Sequence, residues 1–327
     1  MHLDVKDRKI LEQLELDARQ STAAIARKVG LSREVTAYRI RRLEQTGVIN
    51  RYTLILNTAK LGYMAFKWYL ELENADEEKL AEIIAWFKDD PNCAWIASCT
   101  GRWDLITVFL VKSPYQFQTA REQFLSKMHA HVRDSSFTLD LEVSHTKCLP
   151  DQSGKAPFFG GELGHMELDR EDILCLIELT ENPRSTVMDI ARKTKLSADI
   201  VKSRIRRMKD SGLIQGSRAD PDNPLRGIST YKILLDRKEA QHARFKALDS
   251  YLTQHRCVWD VIHCLGSWNM ECNVDVDSSR EFHGFIMDLK NRFADLIRGY
   301  DVVQIFDIPK FSFFPMGRLL LKQRRML

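Results

Sequence analysis

The 327-residue chain lacks the features that mark membrane-spanning, secreted and zinc-binding proteins. No apolar run approaches the length of a membrane span, and the N-terminal MHLDVKDRK has no signal-peptide core. The seven cysteines are scattered and include no CxxC pair, which favours reduced thiols. The nine histidines include no HExxH motif, and His129 and His131 have no second ligand pair in the sequence. We therefore expect a cytoplasmic protein without a metal or cofactor.

A strong excess of one charge is also missing. The net charge of +4 is too small to indicate a nucleic-acid partner, so the distribution of charge matters more than its total. The composition is 44% apolar and 29% charged, as in ordered globular proteins. The length exceeds that of a typical single core and predicts two or more domains.

An internal repeat organises the chain. RIRRLEQTGVI at residues 39–49 returns as RIRRMKDSGLI at 204–214, 165 residues later. Without a gap, the same shift aligns IARKVGLS (25–32) with IARKTKLS (190–197), and Cys99, Gly101 and Trp103 with Cys264, Gly266 and Trp268. Such a register over nearly 150 residues indicates a tandem duplication. The segment at 149–165, LPDQSGKAPFFGGELGH, is rich in glycine and proline and is the predicted linker.

Each copy divides into two parts with different periods. The first part predicts three short helices, the last of them preceded by a tight turn at Gly30, capped by Ser32 and ended at Gly47. This order is typical of a helix-turn-helix, with a strand or wing at 49–56. The second part predicts strands at 66–72, 94–99, 104–111 and 137–143 and helices at 76–88 and 115–129. The order β-α-β-β-α-β is ferredoxin-like.

The predicted fold class is therefore α+β, with two winged-type helix-turn-helix domains alternating with two ferredoxin-like βαββαβ domains. The predicted boundaries are 1–57 and 58–148 for the first copy, 149–165 for the linker, 166–222 and 223–315 for the second copy, and 316–327 for a basic tail.

The third helix of each copy has the composition of a recognition helix. Thr36, Ile40 and Leu43 share one face, which leaves a polar face flanked by arginines for the major groove of double-stranded DNA. A solvated face on a structural helix is the alternative, but RIRR is kept in both copies while its neighbours differ. The predicted DNA-contacting residues are Ser32, Arg33, Glu34, Ala37, Tyr38, Arg39, Arg41, Arg42, Ser197, Ala198, Asp199, Lys202, Ser203, Arg204, Arg206 and Arg207. Arg39, Arg42 and their counterparts are assigned to phosphates, and the N-terminal positions to base edges.

These motifs resemble those of a known family. DxxD at 4–7, IARKxxLS, RIRRxxxxGxI, the later Leu61-Gly62 and the GxWD turn at 101–104 are similar to the leucine-responsive and asparagine regulators, the Lrp/AsnC family. The resemblance covers each copy almost end to end. It implies a transcription regulator whose αβ domain senses amino acids and forms dimers. Family members usually carry one copy, so this chain resembles a dimer fused into one polypeptide, and the fused units are expected to self-associate further.

The resemblance also implies an effector site at the turn between the two middle strands. The corresponding residues are Gly101, Arg102, Trp103, Asp104, Gly266, Ser267, Trp268 and Asn269. Arg102 is suited to an effector carboxylate, whereas Ser267 in the same position of copy two is not. A structural hairpin without a ligand remains the alternative.

One strand differs between the copies. After the turn, one face reads Asp104, Ile106, Val108 and Leu110 in copy one, but Asn269, Glu271, Asn273 and Asp275 in copy two. We expect the strand of copy one to be covered on both faces. The polar face of copy two is expected in solvent or at a polar contact between domains, with a cation or effector-amine site as a further alternative.

Two other functions stay open at this stage. Siroheme decarboxylases are similar in architecture, and Trp268-Asn269 matches part of their motif, but the upstream His–Tyr pattern is missing. A metabolite-sensing oligomerisation module without DNA binding is the third hypothesis. A DNA-binding, non-enzymatic regulator is the leading one.

Overall fold

Two successive copies of one order of helices and strands form the protein. This computed structural model describes residues 3–146, 157–238 and 242–324. The elements of copy one are α1 Val5–Leu16, α2 Thr22–Val29, α3 Arg33–Gln45, β1 Ile49–Leu56, β2 Met64–Leu72, α4 Glu77–Asp89, β3 Cys93–Thr100, β4 Leu105–Val111, α5 Pro114–Met128 and β5 Val132–His145. A short strand, β6 Phe158–Gly160, follows. The elements of copy two are α6 Arg170–Glu181, α7 Val187–Thr194, α8 Ala198–Asp210, β7 Ile214–Pro221, α9 Asn223–Arg226, β8 Ser229–Arg237, α10 His242–Gln254, β9 Val258–Gly266, β10 Met270–Val276, α11 Ser279–Phe293, β11 Ile297–Phe311 and α12 Gly317–Gln323. The predicted fold class is confirmed.

Side-chain caps explain where the first three helices begin. Asp4 and Asp7 form a reciprocal capping box at α1, and Ser21 and Ser32 cap α2 and α3. Gly30 ends α2 with a φ of 67°, the left-handed conformation that glycine adopts without strain. The copy-two counterpart of Gly30 is Lys195, which adopts the same conformation with a φ of 60°.

The two αβ units close into one antiparallel barrel. Within each unit the strand order is that of a ferredoxin-like sheet: β5-β2-β4-β3 in copy one and β11-β8-β10-β9 in copy two. Pairing of β3 with β11 and of β5 with β9 joins the two sheets edge to edge. Helices α4 and α5 pack outside the copy-one sheet, with Phe87, Phe117 and Phe124 in their shared core. The inner faces of both sheets therefore form a common interior.

The helix-turn-helix units are joined to each other by their wings. Strands β1 and β7 pair antiparallel, with Tyr52 opposite Ala219. Helix α1 of the first unit packs against β7 of the second. The second unit has an additional contact, since α12 packs against α6 and the Arg318 guanidinium lies 2.7 Å from Glu181. As a result, the core of the second unit belongs to a larger hydrophobic cluster that also contains Phe159 and Met316.

Two features of the αβ part differ from the sequence-based prediction, and two expectations about its strands are confirmed. Strand β5 begins at Val132 instead of residue 137, because its first half pairs with β2. The predicted linker includes β6, which pairs with β5; residues 149–156 of the linker lie outside the described residues. The polar face of β10 lies inside the barrel, where Glu271 and Asn273 are buried, so exposure to solvent is excluded at these positions and the contact between domains is confirmed. The expected double coverage of β4 is also confirmed, since Ile106 and Leu110 on one face and Leu105 and Phe109 on the other are buried.

Candidate nucleic-acid interface and effector cleft

Each recognition helix buries one narrow face and is capped by serine. The Ser32 Oγ accepts a hydrogen bond from the Val35 N–H at 3.2 Å, and Ser197 Oγ accepts one from Ile200 at the same distance. The buried side chains are Thr36, Ile40 and Leu43 in α3 and Val201, Ile205 and Met208 in α8. The opposite faces of both helices point outwards.

The outward faces carry most of the predicted base-contacting residues. Those exposed are Arg33, Glu34, Tyr38 and Arg41 in α3 and Asp199, Lys202, Ser203 and Arg206 in α8. Ala37 and Ala198 are half-buried. Tyr38 is 60% exposed, which is a large aromatic surface open to a partner. Arg33 and Arg41 form no ion pair with any described residue, so their guanidinium groups are available to a partner.

The remaining arginines of the RIRR motif are held by the first helix of their own unit. The Arg39 guanidinium lies 2.7 Å from Asp4 and 2.9 Å from Asp7, and Arg42 lies 2.5 Å from Asp7. Asp7 is almost completely buried. The N–H of Asp7, followed by Arg39, lowers the pKa of Asp4 to about 2. The DxxD and RIRR motifs therefore form one structural unit.

Copy two repeats this arrangement. Arg204 lies 2.6 Å from both Asp169 and Glu171, and Arg207 lies 2.5 Å from the buried Asp172. The arginines that we assigned to phosphates therefore clamp α1 to α3 and α6 to α8. Their phosphate contacts remain a prediction. Arg41 and Arg206 lie outside these clamps, and both are exposed.

The two helix-turn-helix units are also tied together by polar contacts across their wings. The Arg184 guanidinium donates to the Ala18 carbonyl at 2.6 Å and lies over the Tyr52 ring. Arg19 donates in return to the Pro183 carbonyl. Because each contact joins one copy to the other, the two recognition helices belong to a single connected structure.

The two predicted effector turns meet at one end of the barrel. They border a cleft of about 540 Å³ whose lining includes Arg102, Trp103, Ser267 and Trp268. The Arg102 guanidinium lies over the Trp103 ring, 4.7 Å from its centroid, and 3.4 Å from Asp134. Acidic side chains at 134, 236 and 301 line the same cleft. We call this space the effector cleft.

The other four predicted effector residues shape the turns. A Cβ on Gly101 or Gly266 would lie 2.9 Å from the Val302 carbonyl or 2.5 Å from the Phe137 carbonyl, so glycine is required at both. The Asp104 carboxylate accepts from the Leu72 N–H at 2.7 Å, and the Asn269 carboxamide bonds the backbone of Arg237 at 3.0 Å. These two side chains fasten the hairpins to the neighbouring strand, and the structure does not bring them into the cleft.

A buried ionic cluster between the two copies was not recognised from the sequence. The Glu271 carboxylate accepts from Lys67 at 2.6 Å, Tyr69 at 2.5 Å and Lys232 at 3.1 Å. Burial alone would raise the pKa of Glu271, but the two lysines hold it below its ordinary value. Burial raises the pKa of Asp140, which lies 3.1 Å from Lys67, to about 6. The alternating polar residues of β10 were the only sequence signal for this cluster. That spacing does not show which residues of three other strands pair with Glu271.

Comparison with known proteins agrees with these features. The family described as winged helix-turn-helix DNA-binding matches residues 3–50 and 170–215. An uncharacterized HTH-type transcriptional regulator of Pyrococcus abyssi is 33% identical over 108 residues, covering 32% of this chain and 70% of the relative. LrpC of Bacillus subtilis, an HTH-type transcriptional regulator, is 28% identical over 145 residues, 44% of this chain and 95% of LrpC. The chain belongs to the Lrp/AsnC family of helix-turn-helix transcription regulators.

The full architecture of this Lrp/AsnC protein also occurs in a second kind of chain. The crystal structure of the siroheme decarboxylase NirDL superimposes with a TM-score of 0.61 over 98% of both chains, at 13% sequence identity. At this identity the likeness concerns the fold alone. Across the described ranges, no His, Cys, Asp and Glu side chains cluster as a metal site would require, and no helix is long and apolar enough for a membrane span.

Proposed function

We propose that this Lrp/AsnC protein is a sequence-specific DNA-binding transcription regulator in which one chain acts as a fused pseudo-dimer. The main support is the pair of capped recognition helices, each with an exposed polar face, within one connected structure. Exposed Arg41 and Arg206 suit phosphates, and the N-terminal turns of α3 and α8 suit base edges.

The test is equilibrium binding to DNA selected from a random pool, followed over a salt series. Arg41→Ala and Arg206→Ala should each weaken binding and reduce the slope of log K against log salt by about one. Both side chains lie outside the Asp–Arg clamps, so folding should be unchanged. Glu34→Gln, on the same exposed face, is the matched control and should not lower the slope. A native protein without salt-sensitive DNA binding contradicts the proposal.

A second experiment distinguishes the regulator from the enzyme alternative. A siroheme decarboxylase would bind its tetrapyrrole substrate, so the purified chain is titrated with siroheme and binding is followed by absorbance. A saturable spectral change, together with absence of selected DNA sites, would replace the regulator proposal. The exposed arginines on both recognition helices favour the regulator, because a tetrapyrrole enzyme has no need of them.

We further propose that the effector cleft binds a small molecule with a carboxylate, such as an amino acid. Arg102 supports this, since its guanidinium is half-exposed and its present partners, Asp134 and Asp301, lie at 3.4 and 3.5 Å, distances long enough for a ligand to compete. Arg102→Gln should weaken binding of such a molecule in calorimetry. Ser267→Ala, at the corresponding place in copy two, should change it less.

Assembly beyond one chain is a separate proposal. The barrel already satisfies the pairing that a second copy would supply, so one chain should sediment as a folded unit at low concentration. Larger species are expected at higher concentration, and sedimentation over a concentration series measures them. An obligate two-chain assembly at all concentrations contradicts the fused pseudo-dimer.

A further inference from the structure

A second cavity lies inside the barrel, at the opposite end from the effector cleft. It has a volume of about 100 Å³, and most of its walls are aromatic or aliphatic. These walls include Trp95, Val108, Phe159, Trp259, Ile262 and Phe311. An enclosed cavity that holds benzene measures about 150 Å³, so this one is too small to enclose a ring completely. Because Trp259 and Phe311 are only half-buried, the cavity opens to the surface, and a small ring can enter it with one edge left in solvent.

The cavity wall presents two buried polar atoms without a hydrogen-bond partner among the described residues. His145 Nδ1 lies 2.6 Å from one oxygen of Asp260, and the Asn273 Nδ2 donates to the other oxygen at 3.1 Å. The His145 Nε2 and the Asn273 Oδ1 have no partner among the described residues, although the two residues are only 3% and 4% exposed. The Asn273 Oδ1, a carboxamide oxygen, is an acceptor. A buried acceptor without a donor is costly, so a ligand donor there would stabilise the site.

Corresponding residues of the two copies face this cavity from both sides. By the repeat register, Ala94 corresponds to Trp259, Trp95 to Asp260, and Val108 to Asn273, and all six line the cavity. At these positions copy one supplies only apolar side chains, whereas copy two supplies the polar Asp260 and Asn273.

His145, which binds Asp260, is also not repeated in copy two. Lys310 stands where copy two would repeat His145, and its ammonium donates to the carbonyls of Lys88 and Asp90 at 2.7 and 2.9 Å instead. A symmetric dimer of identical chains would carry the group of His145, Asp260 and Asn273 twice or not at all. This chain carries the group at one of the two equivalent positions because its copies have diverged.

The charged groups beside the cavity are already paired. Lys67 contacts Asp140 and Glu271, and Lys232 contacts Glu271. His145 and Asn273 take up the carboxylate of Asp260. A ligand need not bring a charge to balance the site, whereas a hydrogen-bond donor is needed.

We propose that this cavity is a ligand site for a small, neutral aromatic or other apolar ring that carries one hydrogen-bond donor. The ring packs among Trp95, Phe159 and Phe311, and its donor binds Asn273 Oδ1. The site is distinct from the effector cleft in position and in chemistry, since the cleft is lined by charged side chains.

Phenol and toluene test the proposal on the full chain without any mutation. The two molecules have nearly the same shape, but only phenol has a donor. Calorimetry should give phenol a five- to tenfold lower Kd, about the effect of one net hydrogen bond. Equal affinities would overturn recognition by the Asn273 Oδ1, and absence of phenol binding would overturn the site.

Variants then locate the bound ring. Asn273→Val installs the residue of copy one and should remove most of phenol's advantage while toluene still binds. Ser267→Ala, in the effector cleft, is the matched control and should change neither Kd. If Asn273→Val does not fold, Ala94→Phe provides the test by filling the cavity from its apolar side, and both probes should lose binding. Phenol binding that survives Ala94→Phe, or that Ser267→Ala weakens, would place the ring elsewhere and overturn the proposal.

Discussion

Arg39 shows how one side chain near a DNA-binding surface can stabilise the fold. Its guanidinium bridges Asp4 and the buried Asp7, so it joins the start of α1 to the middle of α3. Spacing on α3 predicts where Arg39 lies on that helix, but not which residue of another helix reaches it. The DxxD motif is thereby explained as the partner of RIRR, a relation visible only once the helices pack.

Arg39→Ala should therefore lower the stability of the protein as well as its DNA affinity. The change removes one of the two arginines that pair with buried Asp7, and an under-satisfied buried group costs about 1–3 kcal/mol. Chemical denaturation with the native protein as reference measures the loss. Arg41→Ala is the control, since Arg41 has no ion pair with a described residue, and it should unfold like the native chain. Equal stability of all three proteins would contradict the clamp.

The raised pKa of Asp140 predicts the sign of a pH dependence in the buried cluster. Its folded-state pKa of about 6 lies above the unfolded value of about 3.9. Its contribution to stability is therefore fullest below about pH 4 and is lost as the pH rises through 6. The difference in melting temperature between the native protein and Asp140→Asn should fall from pH 4 to pH 7. A difference that stays constant with pH would refute this assignment.

At the scale of elements, the sequence predicted helix starts, turns and strands well where they depend on residues close together in the chain. Caps such as Ser32, the glycine turn at Gly30 and the alternation in β2 each act within a few residues, so these elements appear close to their predicted positions. Strand β6 and the first half of β5 exist because distant strands pair with them. No pattern inside residues 132–136 or 158–160 could have indicated those partners.

The turn between the last two helices of each helix-turn-helix offers a test with an internal control. Lys195 holds the left-handed conformation that Gly30 holds in copy one, and a side chain there costs about 1 kcal/mol. Lys195→Gly should stabilise the second unit by that amount, measured by hydrogen exchange within α7 and α8. Gly30→Lys should destabilise the first unit in the corresponding helices, because it introduces the same strain. Changes of the same sign in the two experiments would show that the turns are not equivalent.

For the whole molecule, barrel closure replaces the pairing of two separate subunits. The β3–β11 and β5–β9 pairings and the β1–β7 wing ribbon all join copy one to copy two. A polypeptide that contains both partners is free to change one without the other. The barrel interior records this freedom, since Glu271 replaces the residue type of its counterpart Ile106 and recruits Lys67 from the other copy. The same freedom extends to the DNA-binding surface.

The final prediction is that the native protein prefers an asymmetric DNA site. The exposed N-terminal residues are Arg33, Glu34 and Tyr38 in α3 but Asp199, Lys202 and Ser203 in α8. The capping serines and the Asp–Arg clamps are the same in both units, so docking should be similar while the base edges differ. Each well-made base contact discriminates by about 1–3 kcal/mol, enough to distinguish two half-sites. Replacing residues 33–38 by those at 198–203 should shift sites selected from random DNA toward symmetry, at an unchanged salt slope. Perfect palindromes selected by the native protein would show that its two recognition helices read the same sequence.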